Sequence, residues 1–199
     1  GGFRLPDVFR SAGVLLHEVG TTNRTYTSDY EAAVGDQTGA VIRVHHSNFR
    51  MSGFVTEPTI AELVAMRRPQ DLPIIDDLGS GWIDNLPELE LKEPSIRESV
   101  RAGADLTLFS GDKLLGGPQC GIILGRTPWI SRLRQSPLMR AMRVDKLTLA
   151  ALEATLEIHL EGNAAKEIPV LVMLSTSAQQ VLDRCQRVYE RLQQPRWIE

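Results

Sequence analysis

One lysine is presented within the segment Phe109-Ser110-Gly111-Asp112-Lys113-Leu114-Leu115-Gly116-Gly117-Pro118-Gln119. An apolar, strand-like run ends at Phe109, a polar turn follows, and Gly-Gly-Pro lets the backbone reverse tightly. A lysine at the carboxyl edge of a sheet, between glycines and apolar residues, suits Schiff-base chemistry. Removing an amine from water lowers its pKa and frees its lone pair. Most lysines in turns face solvent or bind phosphate, and the segment alone leaves that alternative open.

A second segment is Ile74-Ile75-Asp76-Asp77-Leu78-Gly79-Ser80-Gly81. An acid at the end of a buried strand is costly unless it is paired. A carboxylate facing the ring nitrogen of pyridoxal phosphate keeps that nitrogen protonated and makes the ring an electron sink. An aspartate closing one strand and a lysine following another suit one shared cofactor, with a capping or turn role as the alternative, for Asp76 above all. Further on, Arg140 and Arg143 stand at i and i+3, the spacing of neighbours on a helix face, and guanidinium forks suit phosphate oxygens. The same arginines would serve a nucleic-acid phosphate backbone, or acids across a subunit contact. His45 and His46 follow a strand end, where an imidazole either touches a cofactor or is a satisfied core group. Residues 18–25 (EVGTTNRT) form a polar loop suited to lining a site or a subunit contact. Cys120 reads as a small core residue.

The elements that must position these side chains alternate. Strands are expected at residues 13–19, 39–45, 72–76, 105–109 and 120–124. Helices are expected from Ser28-Asp29 to about Gly35, over 59–68 with Pro69 as the stop, and over 95–102. Strand, polar loop and helix in succession indicate an α/β domain with a mostly parallel sheet, in which ligands gather at the carboxyl ends of the strands. After residue 145 the pattern changes. Leu149, Leu152, Leu156 and Leu160 make one helical stripe; Ala178, Val181, Leu182, Cys185, Val188, Tyr189 and Leu192 make a second, ended by Pro195. Both read as core or inter-domain packing faces. The organisation expected is 1–145 as one domain portion, and 146–199 as a linker helix opening a second, incomplete domain.

The chain has 199 residues, 42% hydrophobic and 24% charged, with 22 Lys+Arg against 25 Asp+Glu. That is an ordinary globular composition, not a disordered or fibrous one. The net charge of −3 averages two blocks: residues 57–112 carry 12 acids and 5 bases, and residues 113–146 carry 7 bases and one acid. The basic block indicates an anionic ligand or a solvated basic face. No apolar run approaches the roughly 20 residues that span a bilayer. The opening Gly-Gly-Phe-Arg-Leu-Pro is not a signal-peptide pattern, and two isolated cysteines make no metal or disulfide framework, so the expectation is a cytoplasmic protein. The absence of an initiating methionine suggests a fragment.

The segments GGFRLPDV, HEVGTTNRT, VHHSNFRMSGF, DDLGSG, FSGDKLLGGPQCGII and PLMRAMRVDKLTLAALEATL together resemble the bacterial selenocysteine synthase family. Its members, the L-seryl-tRNA(Sec) selenium transferases, are pyridoxal-phosphate enzymes of the fold-type I, aminotransferase-like class. The resemblance runs from Gly1 to about residue 180. His46 and Cys120 depart from it, standing where the family commonly has a threonine and a small residue. The resemblance implies Lys113 as the cofactor-binding lysine, Asp77 as the pyridinium partner and Asp112 as an active-site residue. Ser110 and His45 join the implied cofactor set, and Arg140 and Arg143 the selenophosphate site. It implies that residues 1–145 are the carboxyl-side portion of the cofactor-binding large domain and 146–199 the start of the small one. The implied reaction is β-elimination of water from seryl-tRNA(Sec), then addition of selenium from selenophosphate, in a large homo-oligomeric ring. A cofactor-phosphate loop, a ring-stacking residue and any tRNA-binding domain are expected upstream. The nearest alternative is a sister lyase acting on a phosphorylated sugar acid or small amino or hydroxy acid without tRNA; a non-catalytic tRNA-binding scaffold is another.

Overall fold

Residues along Ile74–Gly79 alternate between buried and half-buried, the signature of a strand with one face in the core. The computed structural model describes residues 4–66, 68–69, 71–83, 89 and 93–193. In chain order its elements are α1 (Leu5–Ser11), α2 (Thr27–Ala33), β1 (Val41–Val44), α3 (Ile60–Ala65), β2 (Ile74–Gly79), α4 (Ile96–Ala102), β3 (Leu106–Ser110), β4 (Gly121–Gly125), α5 (Thr127–Gln135), α6 (Leu138–Met142), α7 (Lys146–Leu160), α8 (Ala164–Glu167), α9 (Pro169–Ser175) and α10 (Ala178–Leu192).

The strands form one sheet in the order β1-β2-β3-β4. β1 and β2 are parallel, with Val41 opposite Ile74 and Val44 opposite Asp77, and α3 supplies the crossover such a pair needs. β4 runs back along β3: the Gly111 N–H donates to the Cys120 carbonyl at 2.9 Å and the Arg126 N–H to the Asp105 carbonyl at 3.0 Å. The sheet is therefore mostly parallel with one antiparallel strand at its edge, the α/β arrangement expected.

The chain divides into two units interleaved along the sequence. The first comprises Gly1–Gly79, Arg97–Leu108 and Ile123–Ser136. Its core joins Val41 and Ile74 of the sheet to Ile60 and Leu63 of α3, with Met66, Leu72 and Ala104. α3 starts where it does because Thr59 and Glu62 cap it reciprocally: the Glu62 N–H donates to the Thr59 hydroxyl at 3.2 Å, and the Thr59 N–H to the Glu62 carboxylate at 2.7 Å. It stops at Ala65, short of the expected Arg68, because Met66 already has extended backbone. The second unit comprises Ser80–Ile96, Phe109–Ile122 and Pro137–Glu199, and its core gathers Trp82, Leu89, Ala164, Ile168 and Leu171.

One expectation is corrected. Residues 13–19 form no strand: Leu15 is 93% exposed, and among the described residues no strand pairs with this run. An apolar run becomes a strand only when another strand supplies its hydrogen bonds. Instead, a short helix, α1, precedes it. On α7 and α10, Leu149, Leu156, Leu160, Leu182 and Tyr189 are exposed, while Ile158 of α7 packs against the second core. The Pro195 stop lies outside the described residues, as do Gly1, Gly2 and Phe3.

Candidate active site

Asp76 is fully buried on the face of β2 that also carries the buried Ile74 and Leu78. An ionised carboxylate there requires a partner. Arg43, directly opposite on β1, provides it through a fork: Nε donates to Oδ1 at 3.0 Å and Nη2 to Oδ2 at 3.1 Å. Asp76 is thus neither a cap nor a turn residue. Asp77, one position on, projects to the opposite face and is half-buried. Its carbonyl accepts the His45 N–H at 2.9 Å, so two of the expected site residues, His45 and Asp77, are joined at the ends of adjacent strands. His46 turns elsewhere, its ring 4.5 Å from that of Phe49 and its Nε2 3.9 Å from the Glu57 carboxylate. Residues 18–25 fold against the segment around Phe54: the Thr25 N–H donates to the Thr56 carbonyl at 2.8 Å, and the Asn23 amide to the Phe54 carbonyl at 2.9 Å.

A second buried acid went unnoticed in the sequence. Asp105, just before β3, accepts the Ile74 N–H at 2.9 Å and Arg68 Nη2 at 3.2 Å on Oδ2, and Arg126 Nη1 at 3.2 Å on Oδ1. Arg68 also donates to the Leu72 carbonyl. Arg126 therefore leaves the basic block as a structural cation; the block is not uniformly available to an anion. The only signal was an acid preceding an apolar strand, which does not identify partners 37 and 21 residues away.

The lysine loop lies in the second unit and is tied at each end. The Gly111 N–H reaches the Cys120 carbonyl, the Gly117 N–H the Gly111 carbonyl at 2.8 Å, and the Leu114 N–H the Ser80 carbonyl at 2.8 Å. Leu115 is buried, and its carbonyl is 2.9 Å from His159 Nε2 on α7. Gly116 has φ +75°, and a Cβ there would lie 2.1 Å from Ile168 Cγ2, so the turn admits no side chain. Gly111 is similarly confined, by Cys120 Sγ and the Pro118 carbonyl, each 2.6 Å from a notional Cβ. With Leu115 buried and Leu114 half-buried, Asp112 and Lys113 are exposed, while Ser110 is half-buried. Among the described residues no apolar enclosure covers Lys113; the leucines that suggested it anchor the loop instead. His159 is the bracing residue that sequence reasoning missed. Burial, then the Asp112 charge, pushes the Cys120 thiol up against a smaller opposing effect of the Gly111 N–H, which keeps it neutral and suits a packing role.

Arg140 lies on α6, whereas Arg143 is the residue after it, with extended backbone (ψ 137°). Both are exposed, and the Arg143 N–H still donates to the Met139 carbonyl at 3.0 Å, so the chain leaves the helix only after Arg143.

The Lys113 amine, which makes no ion pair among the described residues, fits a carbonyl cofactor chemically. Of the adjacent aspartates in the first unit, Asp76 is bound to Arg43, and Asp77 stands on the other face with interactions of its own.

The mostly parallel sheet with helical crossovers and a lysine loop after β3 defines an α/β protein of the fold-type I, aminotransferase-like class. A solved structure titled D-glucosaminate-6-phosphate ammonia-lyase shares this fold with a TM-score of 0.66, at 24% identity over 89% of this chain and 42% of that one. Residues 1–197 match the L-seryl-tRNA selenium transferase (SelA) family, and the chain belongs to it. The L-seryl-tRNA(Sec) selenium transferase of Nitratidesulfovibrio vulgaris is 50% identical over 194 residues, 96% of this chain and 41% of that protein. The one from Alkaliphilus metalliredigens is 48% identical over 195 residues, 97% and 42% respectively. The chain thus spans about two-fifths of the length of the curated relatives it matches.

Proposed function

We propose that this chain forms the lysine-bearing part of a pyridoxal-phosphate enzyme that converts seryl-tRNA(Sec) to selenocysteyl-tRNA(Sec). Water is lost by β-elimination, and selenium is added from selenophosphate. The observation that carries this reading is Lys113: an exposed amine on a loop held by backbone bonds and buried leucines, within a chain matched to the family over residues 1–197. A second reading, a sister lyase acting on a phosphorylated sugar acid, draws on the shared fold, but 24% identity to the ammonia-lyase against 48–50% to the transferases favours the first.

In the proposed roles Lys113 holds the cofactor and moves the substrate's α-proton, with Asp112 beside it. Pyridoxal phosphate, when bound, supplies the electron sink that elimination requires. Asp77 holds a proton at the ring nitrogen, and His45 and Ser110 contact the cofactor. Arg140 and Arg143 offset the negative charge of selenophosphate. Residues 1–145 belong to the cofactor-binding domain, and 146–199 form a linker helix and the start of the small domain. The setting is the cytoplasm and the assembly a homo-oligomer; no described helix is long and apolar enough to cross a membrane.

Borohydride reduction of the cofactor-loaded protein, followed by peptide mapping, tests the first role. The adduct is expected on Lys113 and absent in Lys113→Ala; an adduct elsewhere would overturn the assignment. Binding to seryl-tRNA(Sec) tests the substrate. Failure to bind it, together with turnover of a small hydroxy or amino acid, would replace this reading with the sister lyase.

A further inference from the structure

We infer that Arg43 is a positioning residue for Asp77, acting through Asp76 and the pairing of β1 with β2; the inference rests on the proposed role of Asp77 at the cofactor's ring nitrogen. Two adjacent aspartates on a strand point to opposite faces. The face of Asp76 is set by Ile74 and Leu78, which are buried on either side of it. An acid is tolerated there because the Arg43 fork meets both of its oxygens, at 3.0 and 3.1 Å. That fork spans the strand pair one position before Val44 stands opposite Asp77, and the His45 N–H then takes the Asp77 carbonyl at 2.9 Å. Asp77 is therefore clamped at its preceding neighbour's side chain and at its own carbonyl, both times by the end of β1. The two acids divide the work: Asp76 anchors the strand end, and Asp77 is presented from it. A carboxylate that must meet one ring nitrogen needs its supporting groups held this closely.

Bound pyridoxal phosphate absorbs visible light, and the pH titration of that band in the cofactor-loaded protein reads the environment of the ring. Asp77→Asn is expected to move the midpoint by about one pH unit or more. Arg43→Lys keeps the charge but loses the fork. It is expected to move the midpoint in the same direction by a smaller amount and to raise the cofactor Kd severalfold. The double variant Arg43→Met/Asp76→Leu replaces a buried ion pair by apolar groups, a change that often leaves stability intact. It is expected to keep a near-native melting midpoint and still move the titration, which a purely structural pair would not do. An unshifted titration in either folded variant overturns the inference. So does failure of both Arg43 variants to fold while Asp77→Asn folds, because the pair is then structural only. If Asp77→Asn itself leaves the titration unchanged, the role of Asp77 fails instead.

Discussion

Arg43 and Asp76 face each other across the parallel pairing of β1 and β2, joined by bonds of 3.0 and 3.1 Å although 33 residues separate them. The carboxylate is wholly buried and the guanidinium partly so. Removing one member of such a pair strands the other's charge, so Asp76→Ala is expected to destabilise the protein by about 3–5 kcal/mol. Urea denaturation measures it; a loss below about 1 kcal/mol would mean that the strand end relaxes enough to hydrate Arg43.

Asp105 holds two arginines unequally. Arg68 is 13% exposed and Arg126 69%. Arg68→Ala is therefore expected to be the more damaging by a clear margin, and Arg126→Ala to cost no more than about 1 kcal/mol because solvent screens its pair. Equal losses in denaturant titrations would contradict the division between a buried and an exposed partner.

The lysine loop makes a steric prediction. Gly116→Ala places a methyl against Ile168 in a left-handed backbone, and overpacking alone costs about 1–3 kcal/mol. Stability and the yield of borohydride-trapped adduct on Lys113 are expected to fall together. An unchanged melting midpoint would show that Ile168 can move aside.

His159 braces the same loop through the Leu115 carbonyl. His159→Leu is expected to lower stability by about 1 kcal/mol, the net worth of one hydrogen bond, and to slow adduct formation. A His159→Gln variant that restores the adduct rate would tie the effect to that bond; a rate that never changed would count against the brace.

Acid sensitivity has a definite sign at α3. The Thr59 N–H, and then its hydroxyl, hold the Glu62 carboxyl below its ordinary range. A folded-state pKa that is depressed adds stability above the unfolded value, and that stability is lost as pH falls through the folded one. The melting midpoint of the wild type is expected to decline faster than that of Glu62→Gln as acidity increases through the carboxylate range. Parallel declines would remove Glu62 from the account.

Much of the architecture was readable along the chain because it is local. The apolar runs at 39–45, 72–76, 105–109 and 120–124 became β1 to β4 within a few residues, and Ser95 to Ala102 became α4. The loop around Lys113 was legible for the same reason: its glycines and leucines act on their own neighbours. The run at 13–19 misled because its composition is that of a strand, while strand formation depends on a pairing partner that composition does not encode.

What the sequence by itself determined was the order of the four sheet strands, the parallel connection imposed by a helical crossover, and the identity of a lysine and an aspartate pair worth attention. Tertiary structure alone decided which aspartate is buried against Arg43 and which stands on the other face, because that depends on the face buried by Ile74 and Leu78 and on Arg43 arriving from another strand. It likewise decided that Arg126 pairs with Asp105, that His159 supports the lysine loop, and that the helix carrying Arg140 ends at Arg143. Charge pairing and burial act between residues that only folding brings together, so residue type and spacing do not specify them.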